Sequence, residues 1–414
     1  MRKGPVSDYD KRNWSVVFCD KRHSVTINQI IDYSSGFYFV DVSDIHNAEL
    51  VNTNYGFVSY TDLFEFKRST IFNSSHSCIT LNLKNNYNYS IEEINMKHCS
   101  DIGISLVGGG KIRVDNVHIE NAKTGIYVYG NEGKLQLTSS IIEHCVSAVH
   151  LKYGYSSSDA GDFTLEHCRI AHCTNGINYG VTSVGRPAQI AINNNMFTNI
   201  SKSALSIIFP SYEYRHDKQS TGYIDIGLNT FRNVCDIYLK TWNNATLNFH
   251  DNKVENSSCL DSDNCLLHAF AKGNKQIQNR VFSVSTNVFT NINSKCIVKL
   301  QSSGDDAGFD GLFYYNQFLS TRATLGTTLL DSMYFNISHN IFDNPLSPYD
   351  VYVQRKGMCF FVVMYVLLQR AKMAEWLATL TWVRIQIPTL KCKCSPYQSI
   401  LSFTNMSGSH DKLK

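Results

Sequence analysis

Proline is scarce, seven in 414 residues, and charged side chains make up 18 %, below the usual quarter. Lys plus Arg total 38 and Asp plus Glu 35, leaving +3, so no basic footprint points to nucleic acid and no acidic bias to cation buffering. Helical 3.6-residue periodicity is absent, and leucine is too sparse for a leucine-rich horseshoe. The opening MRKGPVSDYDKRNW carries charge but no apolar h-region, so no secretory signal is read there. The chain is therefore expected to be cytosolic or an internal piece of a longer secreted protein. What is plentiful is asparagine, serine and tyrosine, a mixture that favours β-structure with solvated amide turns.

The asparagines recur in a frame. An apolar residue is followed after two positions by a first anchor, then a large apolar residue and a second anchor at alternate positions. INNNMFTN at 192, VSTNVFTN at 284 and ISHNIFDN at 337 show it plainly. Second anchors run from Ser74 to Asn344 with spacings never below 23 residues and up to 35. A constant floor with variable excess describes a solenoid turn with loops of free length. The frame fails once, at Lys67, in the first repeat. The large apolar residue and both anchors share strand parity, while the earlier apolar residue has the opposite parity, which demands a bend between two short strands. An aliphatic run led by a small residue, such as GIYV at 125, supplies a third strand. Asn121, Asn199, Asn233, Asn256, Asn291 and Asn344 are expected to form a ladder at a corner, because asparagine tolerates left-handed angles and bonds to copies of itself above and below. His98, His144 and His172 occupy the same anchor and are read as stacked corner residues, so no metal ligand set is assigned.

This frame resembles the right-handed parallel β-helix repeat family, which includes pectate lyases, polygalacturonases and non-catalytic extracellular modules. The resemblance implies an all-β, right-handed, single-stranded parallel β-helix (a solenoid) of about eleven coils, a rod of about 50 Å at the spacing of paired strands. It covers residues 65–352. Residues 1–64 are expected to be degenerate coils or a cap. Residues 353–414, free of asparagine until Asn405, change character. They are expected to be an atypical tail, poorly ordered and read through from non-coding sequence. Its apolar run, Met358 to Leu368, is eleven residues, short of the roughly 20 a membrane-spanning helix needs.

The catalytic phrases of the family are largely missing: GHG and RIK are absent, and the sole DD, Asp305–Asp306, falls in an expected loop. Acid–base cleavage needs two titrating groups converging on one bond, and spacing reveals no such pair, so no catalytic residue is assigned. Insertions after the third strand of consecutive coils gather Tyr153, Tyr155, Arg186, Tyr212, Tyr214, Arg215 and His216 on one edge, residue types that suit a contact surface. Cys259 and Cys265 bracket CLDSDNC as a local disulfide could, and the sequons at Asn88 and Asn244 agree with secretion. The resemblance thus implies a non-enzymatic extracellular module for adhesion, junction organisation or scaffolding. Its partner would be a protein or glycan at the cell surface, without cofactor or nucleic acid, and any membrane anchor would lie outside this chain. The alternative is a polysaccharide lyase or glycoside hydrolase of the same fold.

Overall fold

The computed structural model describes strands from Val16 to Gln354. Residues 1–15 and 355–414, and segments between strands such as 154–160, 182–187, 210–221 and 260–264, lie outside the described residues. Nearly all of the expected tail is among them. The described chain winds as a parallel solenoid with three strands per turn. In one turn these are Lys111–Asp115, His118–Glu120 and Thr124–Gly130. They stack on Lys134–Thr138, Ile141–Glu143 and Ser147–Tyr153 of the next turn. We call the three ladders the first, second and third faces. Among the described residues no helix is long and apolar enough to cross a membrane.

The third face is a sheet of fifteen strands, fourteen of them pairing in chain order and Ser258–Cys259 pairing off the path. Eleven of those fourteen run from Ser77–Leu83 to Val351–Gln354. The coil count differs from the expected eleven because Val16–Cys19, Phe37–Val40 and Phe57–Ser59 extend the same ladder toward the N-terminus. The frame's single failure is a one-residue slip in reading it. Ile71, not Phe72, pairs with Met96, and Phe66, not Lys67, pairs with Ile91. Accordingly Ile71 and Phe66 are fully buried whereas Phe72 is 39 % exposed. A shift of one residue turns a strand's side chains to the other side.

Each face sends alternate side chains inward. The second face contributes one large apolar residue per coil, including Met96, Ile119, Ile142, Ile170, Phe197, Phe231, Phe289 and Phe318, all buried. Identical rings lie directly over one another: Phe197 and Phe231 are 4.8 Å apart, as are Phe289 and Phe318. That spacing is the inter-strand repeat itself.

Polar columns mark the bends. Two residues per coil, five apart, adopt left-handed angles, for example Asn116 with Asn121, Asn194 with Asn199, and Leu228 with Asn233. The second of each pair includes the expected ladder residues Asn121, Asn199, Asn233, Asn256 and Asn291; Asn344 lies outside the described residues. These asparagines are an outer column: Asn233 Nδ2 donates to Asn199 Oδ1 at 2.7 Å, and Asn291 Nδ2 to Asn256 Oδ1 at 3.2 Å, both at exposed sites. Asn121 instead reaches Glu120 in its own coil. The continuous ladder is a different one, built from the first anchors. Asn195, Asn229, Asn252, Asn287, Asn316 and Asn340 are all buried, and the Nδ2 of each of the first five donates to the next Oδ1 at 2.9–3.1 Å. Each Oδ1 also accepts the backbone N–H of the preceding coil, as Asn229 N to Asn252 Oδ1 at 3.0 Å. Serine and cysteine continue the role toward the N-terminus, with Val117 N donating to Ser140 Oγ and Ser140 N to Cys168 Sγ. The first anchor is the buried one because it follows the left-handed residue, where the chain turns and its amide would otherwise be orphaned.

Candidate functional site

Outward side chains of the first and second faces fall into columns one coil apart, so charge is paired between coils as well as along a strand. On the second face Lys97 lies 3.0 Å from Glu120, and Arg232 and Lys253 both contact Glu255. On the first face Lys67 bridges Glu65 and Glu92. The hydrogen bond from Lys253 holds the Glu255 carboxyl below its usual range, against the opposing effect of burial, with Arg232 adding to it. Ser90 and then Lys67 do the same for Glu92, again against burial.

Two clusters depart from simple pairing. On the second face His118, Glu120 and Glu143 each bring a ligand atom within 4.8 Å of the others. His118 Nε2 is 3.1 Å from Glu143 Oε1, and Arg169 is 3.7 Å from the other oxygen. No metal ligand set was assigned from the sequence. The signal was available in the register, since Glu120 and Glu143 are partners on adjacent coils and His118 shares their outward parity. Each carboxylate is already engaged by a cation, Lys97 or Arg169, so the cluster is close to electrically closed.

The second cluster is on the first face. His250 Nε2 lies 3.1 Å from Asp225 Oδ1 and its Nδ1 2.8 Å from Asp251 Oδ2. Tyr223 hydroxyl donates to Asp225 and receives a bond from Asn248. The imidazole sits over Gly227, where a Cβ would come within 2.4 Å of its Cε1. Burial pulls the His250 pKa down, but the bonds and charges of Asp251 and Asp225 outweigh it and leave the pKa raised. Asp236 is a different kind of acid: burial pushes its carboxyl up to about 6. It precedes the third-face strand Ile237–Trp242, so it lies apart from the paired acids of the other two faces.

A shallow groove of about 630 Å³ follows the corner between the first and second faces. Ser139, His167, Asn194 and Leu228, successive left-handed corner residues, line one side, and Ile141, Arg169, Met196 and Thr230 the other. Leu228 is 57 % exposed and Met196 36 %. Sequence reasoning passed over this surface because its residues are one per coil and unremarkable in any single repeat.

Of the residues expected on a contact edge, Tyr153 is corrected. The third-face strand continues through it, and Tyr153 points inward, 2 % exposed, with its ring 5.6 Å from Tyr179. Gly161 leaves the space it fills, since a Cβ there would lie 2.2 Å from the tyrosine ring. Tyr155, Arg186, Tyr212, Tyr214, Arg215 and His216 lie outside the described residues. The strands preceding their segments, Ser147–Tyr153, Asn175–Val181 and Ser203–Ile208, are consecutive neighbours in the third ladder.

The Cys259–Cys265 bridge is corrected as well. Cys265 is bonded to Cys296, and Cys78 to Cys99. Parallel stacking brings Cys265 beside the next coil, where Leu266 N donates to Cys296 O at 3.1 Å. Both bridges thus join neighbouring turns rather than closing a local loop.

Searches of curated proteins and of solved structures return no match. A family model described as right handed beta helix region matches residues 50–212, and the parallel solenoid of the described residues agrees with that description.

Proposed function

We propose that this chain is a non-enzymatic extracellular module that presents a rigid surface for cell adhesion, junction organisation or scaffold assembly. The observation that carries this reading is the corner groove. It crosses successive coils and mixes exposed apolar side chains, Leu228 and Met196, with the cationic and polar Arg169, His167 and Asn194. A surface of this composition suits a protein or glycan partner, because apolar area supplies affinity and polar groups supply register. The inter-coil disulfides Cys78–Cys99 and Cys265–Cys296 agree with an oxidising compartment. Asn88, in a glycosylation sequon, is exposed at the start of its strand.

The test is adhesion of cells to immobilised chain, comparing wild type with Leu228→Asn plus Met196→Gln. Asparagine suits the left-handed backbone at 228, so the fold should persist while adhesion drops several-fold. Equal adhesion by the two proteins would remove the groove from the account. A polysaccharide lyase or hydrolase is the second reading, favoured by His250 held between Asp225 and Asp251 beside Tyr223. A raised imidazolium could give a proton to a leaving oxygen while a carboxylate acts on the other side. Turnover of pectin, alginate or glycosaminoglycans that is lost in His250→Gln would favour it over adhesion.

A further inference from the structure

Cys145 and Cys173 are buried on neighbouring coils, 4 % and 2 % exposed. Each follows its coil's second anchor, His144 and His172, whose rings stack 4.9 Å apart. Register is fixed on both sides of the pair: Glu143 pairs with Ala171 before it and Ser147 with Asn175 after it. The two cysteines are therefore direct neighbours in a parallel stack, and their thiols are in hydrogen-bond contact. Stacked parallel strands lie about 4.8 Å apart, within the 4.4–6.8 Å between Cα atoms that a disulfide requires. Cys265 and Cys296, bonded across neighbouring coils, have Cα atoms 4.6 Å apart, and Cys78 and Cys99 5.7 Å.

We infer that Cys145 and Cys173 are a further inter-coil cross-link site, converted to a disulfide when the protein meets a small-molecule disulfide. The step is two thiol–disulfide exchanges. One cysteine, as thiolate, attacks glutathione disulfide, forming a mixed disulfide and releasing one glutathione thiolate. The second cysteine displaces the other glutathione. One S–S bond breaks for one that forms, the two cysteines lose two protons and two electrons, and glutathione disulfide is reduced to two thiols.

The surroundings tolerate the product. Cys145 donates to Glu143 O and Cys173 to Ala171 O, and oxidation removes both donors. Glu143 O still accepts from Asn121 N and Ala171 O from His144 N, so neither carbonyl is orphaned. Burial makes attack depend on local opening of the stack, so the bond forms slowly and resists reduction once closed.

The third buried thiol is an internal control. Cys168 occupies the first-anchor column, where it donates to Glu166 O and accepts from Ser140 N, and its pKa is pushed up to about 12 by burial. It should stay reduced.

The test is peptide mapping of the full chain after incubation in glutathione disulfide, acid quenching, unfolding and alkylation. The expected result is a linked peptide pair containing Cys145 and Cys173, with Cys168 alkylated. Alkylation of both Cys145 and Cys173 while Cys78–Cys99 and Cys265–Cys296 stay linked would overturn the inference, as would linkage of either to Cys168. Cys145→Ala places in this coil the residue that Ala122 supplies one coil earlier, also buried. This variant should fold and leave Cys173 either alkylated or as its glutathione mixed disulfide; a Cys173 linked to another cysteine of the chain in it would overturn the assignment of partners.

Discussion

Replacing Asn252 with alanine tests the interior amide column directly. Its carboxamide uses every hydrogen-bonding position it has: Nδ2 donates to Ile226 O at 2.8 Å and Asn287 Oδ1 at 3.1 Å, while Oδ1 accepts from Asn229 N and Asn229 Nδ2, each at 3.0 Å. Truncation strands two donors of Asn229 in the interior, its backbone N–H and one Nδ2–H, and removes a partner from Ile226. Each orphaned buried group costs about 1–3 kcal/mol, so a loss of about 4 kcal/mol is expected. Asn256→Ala is the comparison. Asn256 is an exposed corner residue bonded to Asn291, and alanine there loses mainly the left-handed preference, about 1 kcal/mol. Urea unfolding midpoints of the two variants, with amide exchange of Asn229 as a local probe, separate these costs. Equal midpoints, or an Asn229 amide still protected in Asn252→Ala, would refute the column as a main source of stability. Asn252→Asp adds a pH arm. A buried carboxylate facing Ile226 O would have its folded pKa raised, so this variant should regain stability as pH falls from neutrality toward the usual carboxylate range.

Gly125→Ala should cost several kcal/mol, because its Cβ would lie 2.5 Å from Ala148 O and 2.7 Å from Ile142 Cγ2; a melting temperature within a degree of wild type would contradict this. Leu228→Asn should raise stability by about 1 kcal/mol, since leucine holds a left-handed angle of φ 58 there at a cost of about that size, and thermal denaturation checks it. Because the His250 pKa is raised, its ion pairs stabilise fully below the unfolded imidazole value and are lost as pH rises through the folded value. Asp251, with its carboxyl lowered despite burial, loses its share as pH falls through the carboxylate range. His250→Gln should therefore flatten the stability profile on the alkaline side of pH 6.5. His268 has the opposite sign: burial, with the Lys299 charge, lowers its pKa to about 4, so stability falls as pH drops from 6.5 toward that value. His268→Phe should remove that acid-side loss in pH-jump unfolding.

The repeat was legible because stacking makes each coil answer to the same constraints. Phe197, Phe231 and Phe289 are large and apolar in the frame and buried in the fold for one reason: each is an inward residue of a short second-face strand. Which anchor is interior was not legible. Asn195 and Asn199 are both asparagines with the same strand parity, and only the turn between Asn193 and Met196 sends one amide inside and leaves the other at the corner. The slip at Lys67 has the same origin. Glu65 and Lys67 alternate with Phe66 so regularly that parity alone cannot separate the two readings until a neighbouring coil fixes the register.

The outward surface was harder still. His118 and Glu143 are 25 residues apart and within hydrogen-bond distance, as are Asp225 and His250. In a solenoid any two residues one coil apart are neighbours, but the excess length between coils varies with the loops. A site therefore appears in sequence as single residues separated by about one coil plus an unknown insertion. Fixing the loop lengths, which the inward apolar positions do, converts the rest into columns. Applied to this chain, that step brings Asp225 to His250, Glu120 to Glu143 and Cys145 to Cys173. These contacts follow from the same register that places the phenylalanine rings over one another, so a displaced register at any coil would dissolve all of them beyond it.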